Sequence, residues 1–325
     1  MGKILLSQEI HKDAVKLLKD KGFEIIVSTS PEDEAVRGLV SDVDAIIVRT
    51  ATKLSRETIF SASNLKVIAR TGAGVDNVDV DAATEKNIPV CNTPEANIDS
   101  VAEHTVAFMF GLSKYLTIMD AAVRENNFSI RNSYLPVDLE DKVLGLVGFG
   151  KIGRKVAQIC NKCFKMKIFY FDLFLPEDLK TDFECERLSK IGEIFTISDF
   201  ISIHIPYTKE NHHIIGKDIL GLMKRSAFII NTSRGGIIDE EALADVLKED
   251  KISGAALDVF ENEPPNRNNE LLKLKNIILT PHSAALTKES SRRMAMHAAQ
   301  GVADVLENKM PQWVFNKNKL KNFLK

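Results

Sequence analysis

The 325-residue chain reads as an α/β protein of two parallel-sheet domains, Rossmann-like and flavodoxin-like, with a cleft between them. Three observations carry this. Short apolar runs rich in β-branched residues alternate with longer stretches whose apolar residues fall at helical spacing. The runs form two series separated by one long helical stretch. In the second series, an apolar run leads straight into a glycine-rich turn that opens a helix. Strands that alternate with helices imply βαβ units and a parallel sheet covered on both faces.

The first series is Lys3–Leu6, Glu24–Val27, Asp44–Val48, Lys66–Arg70 and Ile88–Cys91. Between its first two runs, Ile10, Ala14, Leu17 and Leu18 mark a helix. Ser100–Tyr115 reads as a long helix, with Ser100 as its cap and Glu103 three residues on, a capping box. Arg124–Val137 is polar and irregular and is expected to be an exposed arm that meets another subunit. The second series is Val143–Phe149, Lys167–Phe171, Phe200–Ile205, Ala227–Asn231, Ala255–Val259 and Ile277–Leu279. A helix over Lys288–Glu307 follows. The tail carries Pro311, Trp313 and Phe315, and its aromatics are expected to be buried on the first block. Residues 1–99 with 287–325 then form one domain and 100–286 the other. Lys317–Lys325 is basic and is expected to fray.

Lys and Arg number 43, Asp and Glu 45, a net charge of −2. That balance gives no support for a nucleic-acid or membrane-surface partner. No apolar run approaches the roughly 18 to 20 residues that span a bilayer. The opening apolar stretch ends at Leu6, too early for a signal peptide. Cys160 and Cys163 form a Cys-x-x-Cys without a second pair to complete a zinc site, and they fall late in a helix. With Cys91 and Cys185 they read as structural thiols of a reduced, cytoplasmic protein, and no metal is expected. His212-His213 reads as a loop pair and His104 as a packed helix residue. Phe164, Phe169, Phe171 and Phe174 read as core and strand residues.

The run Val143–Val147 leads into Gly148-Phe149-Gly150-Lys151-Ile152-Gly153, and Val156, Ala157, Ile159 and Cys160 continue as a helix. In that context Gly-x-Gly-x-x-Gly is a dinucleotide turn. Gly148 permits the turn, Gly150 lets backbone approach a pyrophosphate, and Gly153 lets helix and strand pack closely. Lys151 and Ile152 begin the helix whose N–H groups face the phosphates. Asp172 ends the next strand, where a carboxylate accepts the ribose hydroxyls and repels a 2′-phosphate. No Arg follows within the next few residues, so the expected cofactor is NAD rather than NADP.

Ligands of open α/β sheets bind outside the carboxyl ends of the strands. Arg234, Glu263 and His282 follow three successive runs there. Oxidation of a 2-hydroxy acid moves a hydride from C2 and a proton from oxygen. Imidazole suits the proton, a carboxylate on its other nitrogen orients it, and a guanidinium holds the substrate carboxylate.

These segments, with Gly72–Asp79, Asn92-Thr93-Pro94, Ser100–Thr105, Asn231–Gly236, Asp258-Val259-Phe260 and Pro281-His282, resemble the D-isomer-specific 2-hydroxyacid dehydrogenases over nearly the whole chain. The resemblance implies that Arg234, Glu263 and His282 are catalytic. It implies that the backbone of Gly72, Ala73 and Gly74 binds the substrate carboxylate and that Asp258 faces the nicotinamide amide. It adds Pro206, Thr232, Ser233 and Ala284 to the cofactor contacts; the family usually has Gly where Ala284 stands. A homodimer is expected.

Within the family, the first block is most similar to D-3-phosphoglycerate dehydrogenases. Arg49 and Arg70, at the ends of apolar runs, are expected to face the cleft and to suit a substrate phosphate. The implied reaction is NAD-dependent oxidation of D-3-phosphoglycerate to 3-phosphohydroxypyruvate in serine biosynthesis. The chain ends at 325, and serine feedback through a further C-terminal domain is not expected. Alternatives are a glyoxylate or hydroxypyruvate reductase, another D-2-hydroxyacid dehydrogenase, and an NAD-sensing scaffold like the related corepressors.

Overall fold

The structure is a computed structural model that describes residues 2–175 and 179–322. The chain divides into two compact units, 1–97 with 285–325, and 98–284. Both crossings come two residues before the expected positions.

The first unit holds β1 (Lys3–Leu6), β2 (Glu24–Val27), β3 (Ala45–Val48), β4 (Val67–Arg70) and β5 (Val90–Cys91). They form one parallel sheet in the order β2-β1-β3-β4-β5. This is the flavodoxin order. β3 is buried along its whole length, as a central strand covered on both faces must be. Leu5, Ile46, Val48 and Ile68 pack on one face. On the other face, Ile4, Leu6, Ile47 and Val67 meet Ala295, Ala298, Ala299 and Val302 of the helix Lys288–Leu306. The tail then docks on β5. Phe315 N donates to Val90 O (2.8 Å), and Asn316 Oδ1 accepts from Val90 N (2.9 Å). Trp313 stacks on His297. The Phe315 ring, expected in the core, is 56% exposed. Phe315 and Asn316 lie in a turn, and Val314 and Asn316 on either side of the ring take the inward side. Residues 323–325 of the basic terminus lie outside the described residues.

The second unit holds β6 (Val143–Val147), β7 (Lys167–Phe171), β8 (Glu186–Arg187), β9 (Phe200–Ile203), β10 (Phe228–Asn231), β11 (Gly254–Leu257) and β12 (Ile277–Leu279). The parallel order is β12-β11-β10-β9-β6-β7-β8. Strand order reverses between β6 and β9, which is the crevice where such sheets bind ligands. The two-residue charged strand β8 carries no apolar signal and is absent from the sequence reading. The helix Ile98–Ser113 begins before Ser100, so Ser100 lies inside its first turn and not at the expected cap position. Phe108, Met109 and Leu112 pack with Leu144, Leu146 and Ile230. Tyr115, in the left-handed region (φ 50°), ends that helical run, and a second helix, Leu116–Arg124, precedes a 3₁₀ turn at Phe128–Asn132. Phe174, expected in the core, lies past the end of β7 and is 91% exposed.

All four cysteines are free. Burial pushes the thiols of Cys91 and Cys160 up to about 12. Among the described residues there is no group of three or more metal-ligating side chains. No single described helix is long and apolar enough to cross a membrane.

Candidate active site

β6 delivers the chain to Gly148, whose φ of 95° suits glycine. A Cβ there would lie 2.7 Å from the His204 carbonyl at the end of β9, so the crevice itself excludes a side chain. A Cβ on Gly153 would lie 2.4 Å from Gly148 O, which lets the helix Lys151–Phe164 dock on the turn. Gly150 has open space where a Cβ would stand, and no side chain caps the helix at this residue. Backbone N–H groups of a first turn lack intrahelical partners and attract anions, so this end fits a pyrophosphate. Lys151 is exposed and Ile152 half-buried at the helix start. Beneath the turn His204 is half-buried, and its Nε2 lies 2.9 Å from Ser202 Oγ. Burial lowers its imidazole to about 3, so it stays neutral. Pro206, just beyond, accepts Asn211 Nδ2 at its carbonyl (2.7 Å).

Asp172 lies just past β7, beside the turn. Its Oδ2 accepts Phe149 N (2.8 Å) and its Oδ1 accepts Phe174 N (2.9 Å). A carboxylate oxygen has a second lone pair, so ribose hydroxyls still find acceptors. Arg187 on β8 donates to the carbonyls of Asp172 (2.6 Å) and Leu175 (3.2 Å). Sequence reading looked for a cation only in the next few residues and missed this one.

The three strand ends converge. After β10, Asn231 shapes the loop: its Oδ1 accepts Ser233 N (3.0 Å) and Oγ (2.8 Å), and its Nδ2 donates to Arg234 O (2.8 Å). Thr232 Oγ1 lies 3.0 Å from Thr105 Oγ1. A Cβ on Gly235 would lie 1.9 Å from the Phe260 carbonyl carbon, so the loops after β10 and β11 meet through backbone. In the second loop, Glu263 Oε1 accepts Phe260 N (3.2 Å), and Glu263 Oε2 lies 2.7 Å from His282 Nδ1. Burial pushes the Glu263 carboxyl up. The hydrogen bond and charge of His282, the Phe260 N–H and the charge of Arg234 outweigh it, and the net shift is downward. The pair borders a cavity of about 430 Å³ whose walls include Phe260, Pro264, Leu272 and Leu279.

His282 sits after β12 at φ 51°, a left-handed conformation that a non-glycine residue adopts when its surroundings hold it. Asp258, which is buried, provides the hold. Its carbonyl accepts His282 N (2.7 Å). Its Oδ1 accepts Thr280 Oγ1 (2.5 Å) and Ser283 N (2.8 Å), and its Oδ2 accepts Ala284 N (2.9 Å). The family resemblance implies that Asp258 faces the nicotinamide amide; here its carboxylate ties down the loop that carries His282. Ala284 is buried with its N–H in use, so the methyl group in place of glycine is accommodated.

The histidines read as bland have partners. His104 Nε2 lies 3.1 Å from Thr280 Oγ1. His213 Nε2 lies 2.6 Å from Glu261 Oε1, and its ring stacks on His212. Glu240 accepts Glu261 N (2.6 Å), and burial raises its carboxyl. These links cross long stretches of sequence and leave no local signal.

In the first unit, Arg49 follows β3 and Arg70 ends β4. Arg49 Nη1 donates to Glu9 O (3.0 Å). Arg70 donates to Thr50 Oγ1 (3.1 Å) and Thr71 O (3.3 Å). Its guanidinium lies against Gly72, where a Cβ would come within 1.3 Å of Nη1. Thr93 N donates to Gly72 O (2.9 Å), and Asn92 Nδ2 to Ala73 O (2.7 Å). The loop carbonyls are thus tied down. Among the described residues the N–H groups of Ala73 and Gly74 donate to no backbone carbonyl. Such a pair of N–H groups suits a carboxylate.

The second unit is a dinucleotide-binding domain of the open parallel-sheet class. Its residues 106–284 match the family model described as D-isomer specific 2-hydroxyacid dehydrogenase, NAD binding domain. The chain belongs to that family, and NAD is its cofactor. It is 40% identical over 316 residues to the D-3-phosphoglycerate dehydrogenase of Methanocaldococcus jannaschii, covering 97% of this chain but 60% of that protein. The chain thus spans little more than half the length of such curated relatives. It is 37% identical to the hydroxypyruvate reductase of Thermotoga maritima over 302 residues, 92% of this chain and 97% of that one. The D-lactate dehydrogenase of Aquifex aeolicus, solved with NAD and lactic acid, superposes with a TM-score of 0.84 at 31% identity, covering 94% of this chain and 96% of its own.

Proposed function

We propose that the chain is an NAD-dependent D-2-hydroxyacid dehydrogenase that interconverts D-3-phosphoglycerate and 3-phosphohydroxypyruvate. The observation that carries the enzyme reading is the 2.7 Å contact between His282 Nδ1 and Glu263 Oε2, with Arg234 close enough to lower the same carboxyl. Bound NAD supplies the acceptor for the C2 hydride. In the oxidation, His282 Nε2 takes the hydroxyl proton. Nδ1–H donates to Glu263, which fixes the tautomer and balances the imidazolium. Arg234 holds the substrate carboxylate and polarises the forming carbonyl. In reduction the same proton returns.

The phosphate reading rests on the two guanidinium groups that follow adjacent strands β3 and β4, beside the open N–H groups of Ala73 and Gly74. The reading assigns Arg49 and Arg70 to the phosphate and the loop to the carboxylate. The second reading, a hydroxypyruvate or glyoxylate reductase, is favoured by the hydrogen bonds that Arg49 and Arg70 already make within their own unit. The exposed Leu116, Val123, Phe128 and Leu135 support a homodimer through this region.

NADH oxidation with phosphohydroxypyruvate, hydroxypyruvate and glyoxylate tests both. A charge-assisted hydrogen bond is worth about 1.5–3 kcal/mol, so Arg49→Ala or Arg70→Ala should cut kcat/KM for the phosphorylated acid about 10- to 150-fold. Glyoxylate should hardly change. Equal losses on both substrates would hand the assignment to the reductase reading.

A further inference from the structure

The helix Ile98–Ser113 carries none of the three catalytic residues, yet two consecutive side chains on it reach the loops that do. His104 meets Thr280, two residues before His282, and Thr105 meets Thr232, two residues before Arg234. Counting hydrogens fixes the direction of the first contact. The single hydroxyl hydrogen of Thr280 goes to Asp258 Oδ1. Thr280 Oγ1 must therefore accept from His104, and His104 Nε2 carries a hydrogen. Burial lowers the His104 imidazole, opposed by the charge of Asp258. Neutral or charged, this nitrogen remains a donor, so the contact survives a change of pH. Beyond Thr280, Asp258 accepts three consecutive N–H groups, those of His282, Ser283 and Ala284.

We infer that His104 is a positioning residue for the proton-transfer step, acting through Thr280 and Asp258 to hold the His282 loop. The inference rests on the dehydrogenase reading for its catalytic consequence, though not for the contact itself. Without the imidazole, the Thr280 oxygen is an acceptor with no donor. Its hydroxyl is then free to turn from Asp258, and the N–H groups of residues 282–284 lose part of their anchor. Loss of one hydrogen bond corresponds to a roughly 2- to 12-fold effect.

The test uses the full chain with His104→Leu, His104→Gln, Thr280→Val and the His104→Leu/Thr280→Val double variant. Hydrogen exchange of the segment 281–286, read by mass spectrometry, needs neither cofactor nor turnover. His104→Leu should raise exchange in that segment severalfold and leave the glycine turn 148–153 unchanged. With the best 2-keto acid, kcat should fall about 2- to 12-fold while KM for NADH stays within about twofold. His104→Gln, which keeps an N–H donor, should recover most of the loss. The double variant should be no worse than Thr280→Val alone, because both changes break one chain of contacts.

Unchanged exchange at 281–286 overturns the inference. So does a rise in exchange spread over the whole protein, with His104→Gln as damaging as His104→Leu, which is the signature of a fold defect. A wild-type chain that reduces no 2-keto acid sinks the dehydrogenase reading instead, and the exchange arm still decides whether His104 holds the loop.

Discussion

Replacing Glu263 by Gln tests the proton relay with almost no change of shape. The carboxylate serves two donors, His282 Nδ1 at 2.7 Å and Phe260 N at 3.2 Å. Gln has one acceptor oxygen. If it faces His282, its NH₂ meets the Phe260 N–H. If it faces Phe260, its NH₂ meets Nδ1, and the neutral ring must carry its proton on Nε2, where it cannot accept the substrate proton. A charge-assisted hydrogen bond contributes about 1.5–3 kcal/mol. The His282 and Glu263 side chains are 30% and 35% exposed, so water screens the pair and the lower figure applies. The expected loss in kcat is about tenfold. Reduction needs the imidazolium, and the substitution removes its counter-charge. The acid side has its own sign. The Glu263 carboxyl is held below its ordinary value of 4.5. Its contribution to stability is therefore full above that value and is lost as pH falls through the depressed one. Glu263→Gln removes that dependence. Steady-state rates across pH, with thermal midpoints as a control, decide. A kcat within twofold of wild type would refute the relay.

His204 should control acid stability. Its imidazole falls from 6.5 to about 3 on burial. Its contribution is therefore full above 6.5 and is lost as pH drops, at up to about 1.4 kcal/mol per pH unit until the folded value is reached. His204→Gln should flatten the urea midpoint between pH 6.5 and about 4, and an unchanged slope would contradict burial as the cause. Asp172 should set cofactor choice: the wild type should prefer NAD by at least about tenfold in kcat/KM, and Asp172→Ala should erase most of that preference. Equal use of NADP by the wild type would remove the carboxylate from that role.

Local chemistry made much of the second unit legible. The glycine turn needs a special backbone conformation and two close approaches, and only a run of glycines supplies them. Arg234, Glu263 and His282 could be aligned because parallel strands bring their carboxyl ends to one edge. What stayed hidden depends on partners distant in sequence. The Asp258 carboxylate spends its acceptors on the loop that follows the neighbouring strand. His104 finds Thr280 across 176 residues. Arg187 reaches Asp172 from a strand too short and too charged to read. Tyr115 breaks a helical run without glycine or proline. Phe315 faces outward because the residues on either side of it take the inward positions.

The most direct test of the mechanism is the turnover of His282→Ala against wild type, paired with NADH binding followed by fluorescence. A positioned acid–base is worth roughly 10²- to 10⁴-fold. Reduction of the best 2-keto acid should fall by that factor while NADH affinity stays within about twofold. A His282→Ala chain that turns over at the wild-type rate would contradict the assignment of the proton to His282.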